Sequence, residues 1–119
     1  MNSSVPANGT RAQKVISEIK KTLPRKYPMI SEIRLFGSYA RGTNNSRSDI
    51  DILILTPDVL TDRYLRGEIR DAIACIADKQ RLDTDVVFYS FPTYQTDDSR
   101  FTRELRQSKL IYKKKDVCG

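Results

Sequence analysis

Ala12, Val15, Ile16, Ile19 and Leu23 recur at i, i+3, i+4, i+7 and i+11, which is one face of a helix. Thr10 can cap that helix and Pro24 is expected to end it, with residues 1–9 ahead of it as a disordered lead-in. Over residues 30–36 the period shortens, and Ile33, Leu35 and Phe36 mark a strand. Residues 37–48 are small, polar and glycine-containing, and read as a loop with room for one helical turn after Gly37. Residues 49–55 form a second strand. Its run Ile52-Leu53-Ile54-Leu55 is apolar on both faces, so it belongs in the middle of a sheet. Leu65, Ile69, Ala72, Ile73 and Ile76 give the buried stripe of a helix over 62–78, and residues 82–89 give a third strand. Residues 91–96 read as a loop, 99–107 as a short helix burying Phe101 and Leu105, and 109–112 as a last edge strand before a frayed tail of three lysines. The order predicts a fold of the α/β (α+β) class: a small mixed β-sheet with helices packed on it, in one domain over 10–112.

Composition narrows the chemistry. The chain has 119 residues, 39 % hydrophobic and 30 % charged, which is ordinary globular composition for one domain. No histidine is present, so Ser-His-Asp and Cys-His catalysis and His-ligated zinc are excluded. Cys75 falls in a helical pattern and Cys118 is next to last. They suggest reduced thiols in a cytoplasmic protein rather than a disulfide framework. No segment approaches membrane-spanning length. Twenty-one Lys and Arg against fifteen Asp and Glu give a net charge of +6, which favours anionic partners. For nucleic acid the charge stands alone, without an aromatic-rich basic stripe or a recognition motif.

The candidate chemistry lies in Gly37-Ser38-Tyr39-Ala40-Arg41-Gly42 and in Asp49-Ile50-Asp51. A glycine after a strand lets backbone approach a phosphate, and the Ser38 hydroxyl adds a polar contact. Two carboxylates at i and i+2 of a strand share a face, about 7 Å apart at the backbone, and repel unless something positive lies between them. Oxygen donors select Mg²⁺, Mn²⁺ or Ca²⁺ over zinc. Two such ions about 3.5–4 Å apart clamp the attacking and leaving oxygens of a transfer reaction. The alternative for Asp49 and Asp51 is a pair of loop-end residues bonding backbone amides. A third carboxylate should come from the neighbouring strand, where Asp83 and Asp85 alternate. Asp85 directly precedes the apolar run Val86-Val87, as Asp51 precedes its own, and Asp83 reads as a solvated strand end.

Gly37-Ser38, ten residues, then Asp49-Ile50-Asp51, together with Gly42, Ser48 and Asp85-Val86-Val87, resembles the signature of the minimal nucleotidyltransferases of the DNA polymerase β-like superfamily. The resemblance spans residues 31–112 and implies a palm-like nucleotidyltransferase fold. It implies that Gly37 and Ser38 contact a triphosphate and that Asp49 and Asp51 bind two Mg²⁺ ions, with Mn²⁺ as a substitute. Asp85 would complete the metal site and help deprotonate the attacking hydroxyl. Arg41 and Arg47, in the intervening segment, are candidates for neutralising phosphate charge. The substrate implied is a nucleoside triphosphate, ATP in the first instance.

Larger members of that superfamily bind their acceptor with further domains, for which this length leaves no room. The acceptor site is therefore expected to be completed by a second copy or by another protein. Stand-alone domains of this kind resemble the antitoxin half of HEPN–nucleotidyltransferase toxin–antitoxin pairs. That implies transfer of AMP to a tyrosine of a small helical HEPN-type partner. The competing reading is a binding module that neutralises its partner by contact, with nucleotide binding vestigial.

Overall fold

The computed structural model describes residues 7–45 and 48–115. The first helix, α1 (Ala7–Lys26), buries Ala12, Val15, Ile19 and Leu23 of the stripe that the spacing predicts, with Ile16 only half-buried. Both of its expected boundaries are overrun: it starts ahead of Thr10 and continues past Pro24. The last turn is anchored from outside the helix. Tyr27 donates its N–H to the Leu23 carbonyl at 2.8 Å, seats its ring in the core, and donates its hydroxyl to Glu68 Oε2 at 2.9 Å. Such anchoring outweighs the proline penalty of about 3 kcal/mol in a helix interior.

The remaining elements are β1 (Glu32–Phe36), α2 (Gly37–Arg41), β2 (Ile50–Thr56), α3 (Arg63–Asp78), β3 (Thr84–Ser90), α4 (Phe91–Thr96), α5 (Arg100–Leu105) and β4 (Lys109–Lys113). The helical turn after Gly37 is α2. Helix α3 starts where Asp62 accepts the N–H groups of Tyr64 and Leu65. It fully buries Ile69 and Ile73 of the expected stripe together with Ala77, while Leu65, Ala72 and Ile76 are only partly buried. The stretch 91–96, expected as a loop, is instead α4. Ser90 caps it by accepting the Thr93 N–H, and Pro92 lies in its first turn, where a missing N–H costs no hydrogen bond. The lysine tail is also tied further than expected. Lys113 ends β4, and Lys114 donates its backbone N–H to Ser31 at 2.8 Å and its ammonium to the Pro28 carbonyl at 2.9 Å.

The sheet is mixed, in the order β3-β2-β1-β4, with β1 antiparallel to β2 and β4, and β2 parallel to β3. A parallel neighbour requires a crossover, and α3 supplies it. Alternation sends Ile33, Leu35, Ile50, Ile52, Ile54 and Val86 to the face covered by α1 and α3. The other face carries Phe36, Leu53 and Leu55 under Tyr94 of α4 and Leu105 of α5. Phe101 is not buried as expected. It remains 43 % exposed, edge-on to Phe36 with ring centroids 6.1 Å apart, and α5 buries Thr102 and Leu105 instead.

Candidate active site

β2 is held by Ile50 and Ile52, both fully buried on the α1–α3 face. Burying one such side chain contributes about 1.5–3 kcal/mol. Between them Asp51 is turned to the opposite face, the one that carries Phe36, Leu53 and Leu55, and it is only partly buried there. In the parallel ladder Asp51 is the register partner of Asp85, and in the antiparallel ladder it is the partner of Phe36. Gly37 follows Phe36 with φ +73°. A Cβ on Gly37 would collide with the Asp51 carboxylate, 2.9 Å from its Cγ. The glycine therefore serves a close approach by a carboxylate of the same chain, whereas the sequence suggested only approach by a phosphate.

Asp49 is exposed and lies one residue outside β2, so it joins Asp51 from the loop rather than from the strand. Asp83 lies outside β3. Its backbone carbonyl accepts the Ile50 N–H at 2.9 Å, and its side chain lines a groove of about 430 Å³ together with Asp71, Cys75 and Asp78. The register thus sets Asp85, not Asp83, beside Asp51. Ser38 is the second residue of α2, and its carbonyl accepts the N–H groups of Gly42 and Thr43, which closes that short helix. Arg41 ends α2 with Nη1 3.5 Å from Glu104 Oε2 of α5. Arg47 lies outside the described residues, as does Cys118. Cys75 is a free, exposed thiol on α3.

The electrostatics identify Asp51 as the focus. Its carboxyl is pushed up from 3.8 to about 6, first by burial, then by the charges of Asp85, Asp49 and Glu104, with Arg41 opposing. Glu104 is a participant that sequence reading missed. It sits on a six-residue helix far along the chain from the other acidic groups, and no local pattern marks it.

The donor set at this end of the sheet is all oxygen. Among the described residues no three His, Cys, Asp or Glu side chains close into a metal cage. Crowded carboxylates on an open face are compatible with Mg²⁺, which is commonly held by one or two carboxylates with substrate phosphates completing its shell. Zinc or an all-protein calcium cage would fit poorly.

A profile of the nucleotidyltransferase domain family matches residues 16–117. The protein adenylyltransferase MntA of Shewanella oneidensis is 39 % identical over 71 residues, which is 60 % of this chain and 48 % of MntA. The chain therefore spans about half the length of that curated relative. A crystal structure described as a toxin–antitoxin with AMP-PNP is 30 % identical, covers 83 % of this chain and 73 % of its own, and superposes with a TM-score of 0.63. A mutant of the MntA-HpeT toxin–antitoxin gives 28 % identity over the same shares, also with a TM-score of 0.63.

Proposed function

The chain belongs to the nucleotidyltransferase domain family, and we propose that it transfers a nucleoside monophosphate, AMP from ATP, to a hydroxyl of a protein partner. The observation that carries this reading is the pairing of Asp51 with Asp85 in the β2–β3 register, opposite a glycine with no room for a side chain. Asp49, Asp51 and Asp85 would hold Mg²⁺ at this edge. Bound there, the metal supplies neutralisation of the triphosphate and a lower pKa for the attacking hydroxyl. Gly37 and Ser38 present backbone and hydroxyl to the phosphates, and Arg41 adds a cation beside them. Asp85, exposed at the start of β3, accepts the proton of the acceptor hydroxyl.

The relatives support a protein as the acceptor class. One is called a protein adenylyltransferase and another is a toxin–antitoxin with a bound nucleotide analogue. Those names support a protein acceptor; that the partner is a toxin of the HEPN type and the modified residue a tyrosine is carried over from the sequence resemblance alone, and the reducing cytoplasmic setting from the cysteine usage alone. Among the described residues no helix is long and apolar enough to cross a membrane. The test is incubation of the purified protein with Mg²⁺, α-labelled ATP and the product of the adjacent gene. Label on the partner, lost when its tyrosines are replaced by phenylalanine, supports the reading. No label on any protein, with no binding of Mg²⁺·ATP by titration, ends it.

A further inference from the structure

Glu104 and Arg41 form an ion pair, one from α5 and one from the last turn of α2, and the charges of both act on Asp51. Both are about half exposed, at 49 % and 56 %, and 3.5 Å separates the charged atoms. A pair of that kind contributes roughly 0–1 kcal/mol to folding, so stability is a poor account of it. Its placement is nonetheless firm. α5 is pinned by the fully buried Leu105 and by Thr102, whose hydroxyl donates to Asp97. Arg106 ties α5 back to α4 by donating to the Tyr94 and Gln95 carbonyls at 3.2 and 3.1 Å. A short helix braced in this way fixes the backbone from which Glu104 reaches the end of α2.

We infer that Glu104 is a positioning residue for the nucleotide, acting through Arg41: it holds one edge of the guanidinium so that the remaining N–H donors face the triphosphate. The inference rests on the nucleotide reading above. Arginine carries five donors in a rigid fork, and the contact with Glu104 is made through Nη1. Untethered, Arg41 is a long side chain at the end of a five-residue helix, and ordering it on binding would cost affinity. The sign is distinctive. Taken alone, an acid beside a triphosphate repels it, so its removal should tighten binding. A carboxylate that pre-orders an arginine does the reverse.

The experiment is titration of the full chain with Mg²⁺·ATP for the wild type, Glu104→Gln, Arg41→Ala and the double variant, with a thermal melt of each. Glu104→Gln should weaken binding about three- to ten-fold, the value of one pre-ordered side chain. In the Arg41→Ala background the same change should cost nothing further. Glu104→Asp, which keeps the charge, should retain most of the affinity even if the Gln variant melts early. Binding by Glu104→Gln as tight as wild type or tighter overturns the inference, as does an equal loss in both backgrounds. If the wild type itself binds no Mg²⁺·ATP, the nucleotide reading falls and this inference with it. If it binds and the variants match it, only the role of Glu104 is lost.

Discussion

The Asp51 carboxylate occupies the volume that a side chain on Gly37 would fill. The two residues come from different strands' ends, β1 running into α2 and β2 beginning, and each constrains the other. Gly37→Ala should therefore fail twice. Left-handed backbone costs an L-residue about 1–2 kcal/mol, and the added methyl displaces Asp51. Gly42 has a similar φ of +76° but nothing within 4 Å of its missing Cβ. Denaturant melts should show Gly42→Ala destabilised by the backbone cost alone. Gly37→Ala should lose more stability and should also lose label transfer. Equal behaviour of the two variants would refute the steric relationship.

Removing a carboxylate should abolish activity without unfolding the domain. Asp49→Ala, Asp51→Ala and Asp85→Ala are each expected to lower Mg²⁺-dependent transfer from α-labelled ATP by on the order of 10²-fold or more. Asp83→Ala should stay near wild type, because Asp83 lies outside β3 in the groove with Asp71 and Asp78. Chelation by EDTA should silence the wild type, and Mg²⁺ or Mn²⁺ should restore it. An active Asp51→Ala variant would remove the mechanism.

Asp51 also sets a pH dependence of stability. Its folded-state value of about 6 lies above the ordinary 3.8. Folding therefore disfavours the ionised form, and the penalty is absent below 3.8 and grows as pH rises to about 6. Asp51→Asn escapes it. Discounted for partial solvent screening, the variant should be more stable than wild type by about 1 kcal/mol at pH 7, with the gain vanishing towards pH 4. Added Mg²⁺ should narrow the gap at pH 7 by stabilising the wild type alone. Thermal melts across pH, with and without the ion, measure both effects.

The α4–α5 corner should respond to acid in the opposite sense. Asp97 accepts hydrogen bonds from the Thr102 and Ser99 hydroxyls, which hold its carboxyl below the ordinary value. Its stabilisation is present above the unfolded-state pKa and is lost as pH falls through the lower folded one. Asp97→Asn should therefore be less stable than wild type at pH 7, and the two should converge in strong acid. If the melting difference is unchanged between pH 7 and pH 2, Asp97 is not the titrating group.

What could be read from the chain was what depends on near neighbours. The α1 stripe, the apolar run of β2 and the Asp49/Asp51 spacing were all visible because period and spacing are local. Pro24 reads as a stop, but Tyr27 anchors the turn beyond it; residues 91–96 read as a loop, although Pro92 suits a first helical turn. The apolarity of Phe101 points it inward, while the inward positions of α5 are Thr102 and Leu105. Asp83 and Asp85 alternate in sequence; the apolar run after Asp85 already favours it, and the pairing with β2 sets it beside Asp51. Glu104 left no trace at all, since its relation to Asp51 exists only once α5 has docked.

The parallel pairing of β2 and β3 has a consequence for the order of events in the life of the chain. Strands that run the same way cannot be joined by a tight turn, so Asp51 and Asp85 meet only after all of α3 has formed and laid itself across the sheet. Before β3 pairs, the two carboxylates that the proposed reaction needs are held apart, so a chain that lacks the crossover has Asp51 without its register partner.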